Sequence, residues 1–333
     1  STFEIGILMA ITPFIRFLSP FALSKKQIDA KLFNIGLIGS FACIVVAPFF
    51  ITYFWLFFGL FFIFSIFWTI GLPFIDALAM EQIGKEKYGK IRLFGSIGFA
   101  LCSLAIGQLL LSSFALWFCY ALLYAIAVIV GIKISKQYNL HFKEQFHSNA
   151  KINIINSWQF WFSIFAFQLS FGPFYAFYSI YSLEHGFSNA DISYLWAFGV
   201  FCEILMFWLQ GSIVKKYSPQ ILFFVATIAA IPRWLIVWLY PDSLFLAFVA
   251  QSFHALNLAL YMTAVFALLA NRYENLRLAK LFFYGFGYGL GGFIGSIVGG
   301  KIYGVHIFAF SAICAIIATI VLIKPTKQFK LKV

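Results

Sequence analysis

Three residues that can carry charge or exchange protons stand inside long apolar stretches in the second half of the sequence. Glu203, Arg233 and His254 lie on three consecutive predicted helices, about 12, 7 and 11 residues from one end of each. At 1.5 Å per residue, their depths differ by no more than about 8 Å. An isolated charge in hydrocarbon costs several kcal/mol, so we expect these groups to face one another or a cavity.

The sequence leaves two interpretations of this cluster open. Glu203 and Arg233 could form a structural ion pair that joins two helices. Alternatively, Glu203, Arg233 and His254 form a proton-coupling site, in which protonation of Glu203 competes with its pairing to Arg233. The second interpretation follows because burial disfavours an ionised carboxyl group, whereas a nearby cation favours it.

A stripe of polar side chains follows the predicted helix that carries His254. At 100° per residue, Gln251, His254, Asn257 and Tyr261 occupy an arc of about 120°. The stripe predicts the wall of a wetted cavity, and hydrogen bonding between helices is the alternative.

A narrower stripe on the helix predicted over 157–183 contains Gln168 and Tyr175. Aromatic and polar groups around a cavity would suit a flat aromatic or otherwise amphipathic solute. The candidate solute-binding residues are Arg16, Gln168, Tyr175, Gln251, Asn257 and Tyr261.

Arg16 and Asp76 are charged residues within apolar stretches of the first half. Their depths allow a salt bridge. In the alternative interpretation, Arg16 supplies the cation for an anionic solute. Arg92 is expected at the cytoplasmic end of its helix, as an interfacial anchor or a gate residue.

Eleven apolar runs must position these residues, and each is long enough to cross about 30 Å of hydrocarbon as a helix. An all-α polytopic membrane protein is therefore predicted. The predicted spans are 3–23, 32–50, 53–79, 90–111, 113–134, 157–183, 191–214, 219–240, 243–270, 278–300 and 303–323.

The basic residues predict the orientation of these spans. Of the 23 Lys and Arg residues, 20 occupy every second gap between apolar runs, and Lys301 alone falls in the other gaps. Cytoplasmic loops retain Lys and Arg, whereas short translocated loops are depleted of them. The first span is therefore expected to begin outside the cell, and the C-terminus to be cytoplasmic. The two remaining basic residues, Arg16 and Arg233, lie inside predicted spans and not in the gaps between them.

The two halves of the sequence repeat each other weakly. A shift of 187 residues places Arg16 on Glu203, with similar hydropathy and loop charge on either side. We expect a first half over 1–134, a cytoplasmic loop over 135–156, a second half over 157–323 and a cytoplasmic tail over 324–333. Two six-helix halves would require one more helix before residue 1. Transporters with such repeats bind their solutes near the midplane, between the halves.

Composition excludes several other classes of protein. With 63% hydrophobic residues and 10% charged residues, a soluble domain is implausible. The net charge of +12 lies in membrane-flanking loops, so no nucleic-acid partner is expected. The five Cys have no CxxC spacing, and no metal site or cofactor other than a proton is predicted. Without HExxH, Walker A or GxSxG motifs, enzymatic activity is not expected.

Glycines recur at every fourth position over 287–299. Such spacing gives a membrane helix one smooth face, which allows another helix to approach closely.

Several ordered segments resemble the 3-phenylpropionate transporter-like branch of the major facilitator superfamily. They are DALA at 76–79, YGKIRLFGS at 88–96, YLWAFGVFCE at 194–203, Arg233-Trp234 and the segment around His254. The resemblance implies the major facilitator fold and a proton-coupled symporter, related at the fold level to the lactose permease.

We therefore expect a monomeric secondary transporter in a bacterial inner membrane, which moves a small organic solute by alternating access. An aromatic carboxylate is the solute class favoured, with the proton as coupling ion and the lipid bilayer as surroundings. A sugar or nucleoside permease of the same fold is one alternative, and a transport-inactive membrane sensor or assembly protein is the other.

Overall fold

The computed structural model describes residues 1–23, 29–83, 85–109, 112–137 and 155–323, and within these ranges the regular structure is helical throughout. We number the helices in chain order. They are α1 (Thr2–Leu23), α2 (Ala30–Val46), α3 (Phe54–Ile83), α4 (Lys85–Leu109), α5 (Ser113–Gln137), α6 (Trp158–Glu184), α7 (Asn189–Lys216), α8 (Pro219–Ile228 and Ala230–Leu239), α9 (Leu244–Ser252, Ala255–Leu260 and Tyr261–Arg272), α10 (Leu276–Phe282, Phe283–Gly291 and Gly292–Lys301) and α11 (Ile307–Ile323).

These helices confirm the predicted polytopic fold. Within the described ranges, nine of them are long and apolar enough to cross a membrane, and Leu93–Leu109 and Ile307–Ile323 are shorter apolar helices. Together they match the eleven predicted spans. The predicted loop over 135–156 and the tail over 324–333 fall mostly or wholly outside the described residues.

Polar side chains cap the N-termini of four helices in the second half. The Ser188 hydroxyl accepts the backbone N–H of Asp191, and the Asp191 carboxylate in turn accepts the backbone N–H of Ser188. Ser218, Ser243 and Asn275 cap α8, α9 and α10 in the same way, each accepting a backbone N–H three residues on. Each cap satisfies an N–H group that has no partner within its own helix.

The largest core lies among α6–α11, around α6. Phe167, Phe174 and Phe177 are buried on α6, together with Trp234 from α8 and Phe308 from α11. In the first half, the described core is limited to two small clusters, around Phe33 and around Tyr124. Most apolar side chains of α3, α4 and α5 instead face outward, as expected for helices in contact with lipid.

The glycine face of α10 packs directly against α6, as the sequence predicted. A Cβ atom built on Gly295 would lie 2.5 Å from the Leu169 carbonyl oxygen and 3.0 Å from Gly172 Cα. One on Gly291 would lie 2.9 Å from the Phe165 carbonyl oxygen. These distances leave no room for a side chain.

A second face of α10 packs against α1 in the same manner. A Cβ atom on Gly289 would lie 2.6 Å from Phe17 N, and one on Gly300 would lie 3.1 Å from Gly6 Cα. The side-chain hydroxyl of Thr2 donates to the Gly300 carbonyl oxygen at 3.3 Å. Helix α10 therefore joins the first half to the second along its length.

Helices α4 and α7 form a second contact between the halves. Gly107 packs on Ser193 and on the Asn189 carbonyl oxygen, and the rings of Phe99 and Trp196 meet edge to face with centroids 6.2 Å apart. Toward the other ends of these helices, Gly95, Gly98 and Gly211 have no atom within 4 Å of a built Cβ. The two helices therefore pack closely near Gly107, at the side predicted to be external, whereas these three glycines do not face a neighbouring helix.

Three helices of the second half are irregular, which the sequence analysis did not predict. Helix α8 is interrupted at Ala229, where the Pro232 ring would clash with the Ile228 carbonyl of a regular helix. Helix α9 widens to a π-helix over Ala255–Leu260, immediately after His254. Helix α10 does the same over Phe283–Gly291. π-helical turns are frequent at functional sites, because they rotate the side chains that follow them.

Candidate functional site

Arg233 is the largest charged side chain in the core. It follows Pro232 in the second segment of α8, and only 1% of the residue is exposed. Its guanidinium carbon lies 4.5 Å from the ring centroid of Phe174, 4.8 Å from that of Trp234 and 5.4 Å from that of Phe171. Three aromatic faces therefore surround the cation and stabilise its charge through their quadrupoles.

Helix α9 supplies the polar partners of Arg233. The guanidinium donates to Gln251 Oε1 at 3.0 Å, to His254 Nδ1 at 3.2 Å and to Asn257 Oδ1 at 3.4 Å. The predicted polar stripe is therefore buried, and it makes hydrogen bonds between helices, which was the alternative to a cavity wall. Gly199 of α7 permits this approach, since a Cβ there would lie 3.2 Å from Gln251 Oε1.

Asn257 is itself fixed by the interruption of α8. Its side-chain amide donates to the Ala226 carbonyl oxygen at 2.9 Å. Ala226 stands in the last turn before the break, where carbonyl groups lack a partner within the helix. The side chain of Asn257 is thus anchored to the last turn of α8 before the break.

His254 links Arg233 to Glu203. On the side opposite Nδ1, His254 Nε2 lies 3.6 Å from Glu203 Oε2, and the Glu203 side chain is 12% exposed. A guanidinium only donates hydrogen bonds, so Nδ1 must accept and be unprotonated. The proton of the neutral ring is therefore assigned to Nε2, which directs an N–H toward the carboxylate. The sequence predicted that the three residues face one another or a cavity, but not that His254 lies between the other two.

Tyr175 is the candidate with the greatest exposure. It lies on α6 and stacks near Trp196 with ring centroids 6.5 Å apart, yet 42% of the residue is exposed. Its hydroxyl interacts electrostatically with Arg233, Glu203 and Arg16, which come from three other helices. A side chain that is surrounded by helices but still exposed faces an internal cavity.

Arg16 of α1 approaches the same cavity from the first half. Its guanidinium interacts electrostatically with the hydroxyl groups of Tyr288, Tyr284 and Tyr175. The neighbouring residue, Phe17, packs its backbone against Gly289 of α10, which places Arg16 beside Tyr288. The structure thus brings Arg16 into the neighbourhood of Glu203 through Tyr175.

Two other solute-binding candidates are core residues in this structure. Tyr261 is fully buried and stacks on Phe167, with ring centroids 4.1 Å apart and an interplanar angle of 12°. Gln168 is buried against α10, where a Cβ on Gly291 would lie 3.0 Å from Gln168 Cβ. The side chains of Asp76 and Arg92 lie outside the described part of the structure.

Trp196 is a cavity residue that sequence analysis missed. Its indole N–H donates to the Ser179 hydroxyl at 3.0 Å, and its ring contacts Phe174, Tyr175 and Tyr178. It stands two helical turns before Glu203, on the same face of α7. The spacing between Trp196 and Glu203 was the signal in the sequence. Because 21% of the residues are aromatic, it did not distinguish Trp196 from the other rings.

A polytopic helical bundle with charged and polar side chains buried inside its membrane-spanning helices is typical of membrane transporters. The chain belongs to the MFS_1-like family, whose model matches residues 1–322.

A probable 3-phenylpropionic acid transporter of Escherichia coli (strain K12) is 25% identical to this chain over 179 residues, which cover 51% of this chain and 47% of the relative. The match thus spans about half of the length of that relative.

Crystal structures of the nucleoside transporter NupG share the fold. A point mutant has a TM-score of 0.75 at 16% identity, and a second NupG structure has a TM-score of 0.72 at 17% identity. Each superposition covers 96% of this chain and 89% of the other.

Proposed function

We propose that this protein is a proton-coupled symporter of a small organic solute, with an aromatic carboxylate as the favoured class, and that it works by alternating access. The chain of contacts from Glu203 through His254 to Arg233 carries the proposal. It places one ionisable carboxyl group, partly exposed, beside a histidine of fixed orientation. The resemblance to a phenylpropionic acid transporter supports the choice of solute class.

In the proposed mechanism, Glu203 is the group that gains and loses the proton. When ionised, its carboxylate faces the Nε2–H of His254 and is stabilised there. Arg233 holds His254 in this tautomer, because its N–H groups leave Nδ1 only the role of acceptor. When Glu203 is protonated, the attraction to this electropositive cluster weakens, and α7 becomes free to shift relative to α9.

The two contacts between the halves support an alternating-access cycle. Helix α10 packs on α1 and α6 through glycines, with few side chains to interlock. Helices α4 and α7 are in close contact near Gly107. Rocking of the halves about the α10 seam would open this contact.

We further propose a location in the bacterial inner membrane, with the start of α1 outside and the C-terminus in the cytoplasm, and a monomeric state. The alternation of basic loops supports this orientation. The C-terminal residues concerned lie outside the described part of the chain.

Reconstitution into proteoliposomes tests the coupling. Glu203→Gln preserves the shape of the side chain but cannot take up a proton. We expect it to abolish solute accumulation driven by a pH gradient and to retain solute exchange at equilibrium. Asp191→Asn is the matched control, because Asp191 lies in the first turn of the same helix, away from the cavity. Normal pH-driven accumulation by Glu203→Gln would contradict the proposed coupling role.

A nucleoside belongs in the same assay as the alternative solute. The aromatic side chains Tyr175 and Trp196 could stack on a nucleobase as well as on a phenyl ring. The comparison with NupG concerns the fold alone at 16% identity, so the carboxylate remains the favoured class.

A further inference from the structure

Arg16 is a cation inside a membrane-spanning helix, and no carboxylate in the described structure neutralises its charge. It lies 14 residues into α1, roughly 20 Å from the start of the helix, and is partly exposed. Among the described residues, no carboxylate oxygen lies within 4.0 Å of its guanidinium. A charge at such depth is costly unless it has a partner or contacts water.

Arg233 provides an internal comparison. It also lies inside a membrane-spanning helix, but three acceptors from α9 and three aromatic rings satisfy its guanidinium. Arg16 interacts electrostatically with the hydroxyl groups of Tyr175, Tyr284 and Tyr288. The Tyr288 hydroxyl donates to Met262 Sδ at 3.3 Å. Arg233 thus has its partners within the second half, whereas Arg16 belongs to the first half and interacts with tyrosines of the second.

Two of the tyrosines that interact with Arg16 are exposed. Tyr175 is 42% exposed and Tyr284 is 36% exposed, although both lie within membrane-spanning helices. Tyr175 and Trp196 are nearly parallel, with an interplanar angle of 23°. An apolar planar group would therefore find aromatic surfaces next to a guanidinium and hydroxyl donors.

We propose that Arg16, with the hydroxyl groups of Tyr175 and Tyr284, forms a subsite for the carboxylate of the solute, while the Tyr175 and Trp196 rings receive its apolar part. A guanidinium presents paired N–H donors that match the two oxygens of a carboxylate. The subsite rests on the proposed function, because it assigns the solute of that transporter. It specifies a monoanion with an apolar body and disfavours sugars and other uncharged polar solutes.

Equilibrium binding to the purified protein in detergent tests the subsite without any proton gradient. The probes are 3-phenylpropionate and its uncharged amide, together with benzoate as a shorter carboxylate. We expect wild type to bind at least one carboxylate more tightly than the amide. Arg16→Gln should weaken carboxylate binding by roughly 10- to 100-fold and leave amide binding unchanged, because only a charged hydrogen-bond partner is lost.

Two further variants keep the test decisive. Arg16→Lys retains the charge without the paired donors, so an intermediate preference is expected even if Arg16→Gln folds poorly. Lys301→Gln removes a cation outside the cavity and should leave both affinities unchanged. Thermal unfolding of each variant checks that the fold is intact.

An unchanged preference for carboxylate over amide in Arg16→Gln would overturn the subsite, as would failure of wild type to bind any of the carboxylates. Glu203→Gln should keep the preference, since it changes the proton site alone. Loss of pH-driven accumulation in Glu203→Gln together with an unaltered preference in Arg16→Gln would reject the subsite and retain the coupling. Normal accumulation in Glu203→Gln with a lost preference in Arg16→Gln would reject the coupling role of Glu203 and retain the subsite.

Discussion

At the scale of single residues, the two arginines of the site have different surroundings and different proposed roles. Arg233 is enclosed by the second half and fixes the orientation of His254, whereas Arg16 reaches the cavity from the first half. Glu203 stands between them as the one acidic residue among the described side chains at this depth. In the proposed mechanism, the positioning cation, the exchangeable carboxyl group and the solute-binding cation are thus held on three different helices, α8, α7 and α1.

Replacing Arg233 should mainly affect stability. Arg233→Met keeps an unbranched side chain but leaves Gln251 Oε1, His254 Nδ1 and Asn257 Oδ1 without their donor. Each buried acceptor that loses its donor costs about 1 to 3 kcal/mol, so a clear fall in the thermal unfolding temperature is expected. Lys301→Met, at the membrane surface, serves as the control.

Adding Glu203→Gln to Arg233→Met should not restore this stability. The contacts of Arg233 run to α9, and Glu203 meets the cluster through His254. Recovery in the double variant would instead indicate a direct ion pair between Glu203 and Arg233, the structural interpretation that the sequence left open.

The sequence could predict that Glu203, Arg233 and His254 lie at similar depth and face one another or a cavity, because helix length fixes their heights to within about 8 Å. It could not predict the order of their contacts, which depends on side-chain direction and on the irregular backbone. Tyr261 was assigned to the polar stripe on a spacing of 100° per residue. The π-helical turn between His254 and Tyr261 breaks that spacing, and Tyr261 is buried against Phe167.

At the scale of elements, α10 is in close contact with two other helices, one from each half. Its glycines contact α6 on one face and α1 on another, so two helix interfaces rest on the absence of side chains. The spacing of glycines over 287–299 predicted the smooth face of the first interface, but not α6 as its partner. The second involves Gly289, Gly292 and Gly300, whose irregular spacing has no recognisable period.

Adding one methyl group to this helix should be sufficient to disturb it. Gly295→Ala places a Cβ 2.5 Å from the Leu169 carbonyl oxygen, and neither backbone can move away easily. We expect a lower unfolding temperature and reduced transport.

Gly98→Ala on α4 is the matched control, since no atom lies within 4 Å of the added Cβ. Alanine favours a helix over glycine by about 1 kcal/mol, so this variant should be as stable as the wild type or slightly more stable. Equal effects of the two substitutions would contradict the close packing of α10 on α6.

At the scale of the whole molecule, the proposed subsites imply an electroneutral cycle. One carboxylate at Arg16 and one proton at Glu203 would cross together with no net charge. A membrane potential acts on moving charge, with about 2.3 kcal/mol per elementary charge at 100 mV. It should therefore have little effect on accumulation.

Proteoliposomes with imposed gradients measure this property. We expect a pH difference of one unit to raise accumulation of 3-phenylpropionate by up to about tenfold. A potassium diffusion potential at equal pH should not raise it. Accumulation driven by the potential alone would indicate a different stoichiometry or an uncharged solute.

The contact between α1 and α10 also has a consequence for biosynthesis. Gly6 packs against Gly300, so the partner of the first described helix is synthesised almost 300 residues later. At a translation rate of about 5 to 20 residues per second, α1 waits roughly 15 to 60 s in the bilayer before α10 emerges. During this interval Arg16 has neither the tyrosines of α10 nor the cavity around it. The stage at which the nascent chain is most exposed to degradation is therefore expected to precede synthesis of α10.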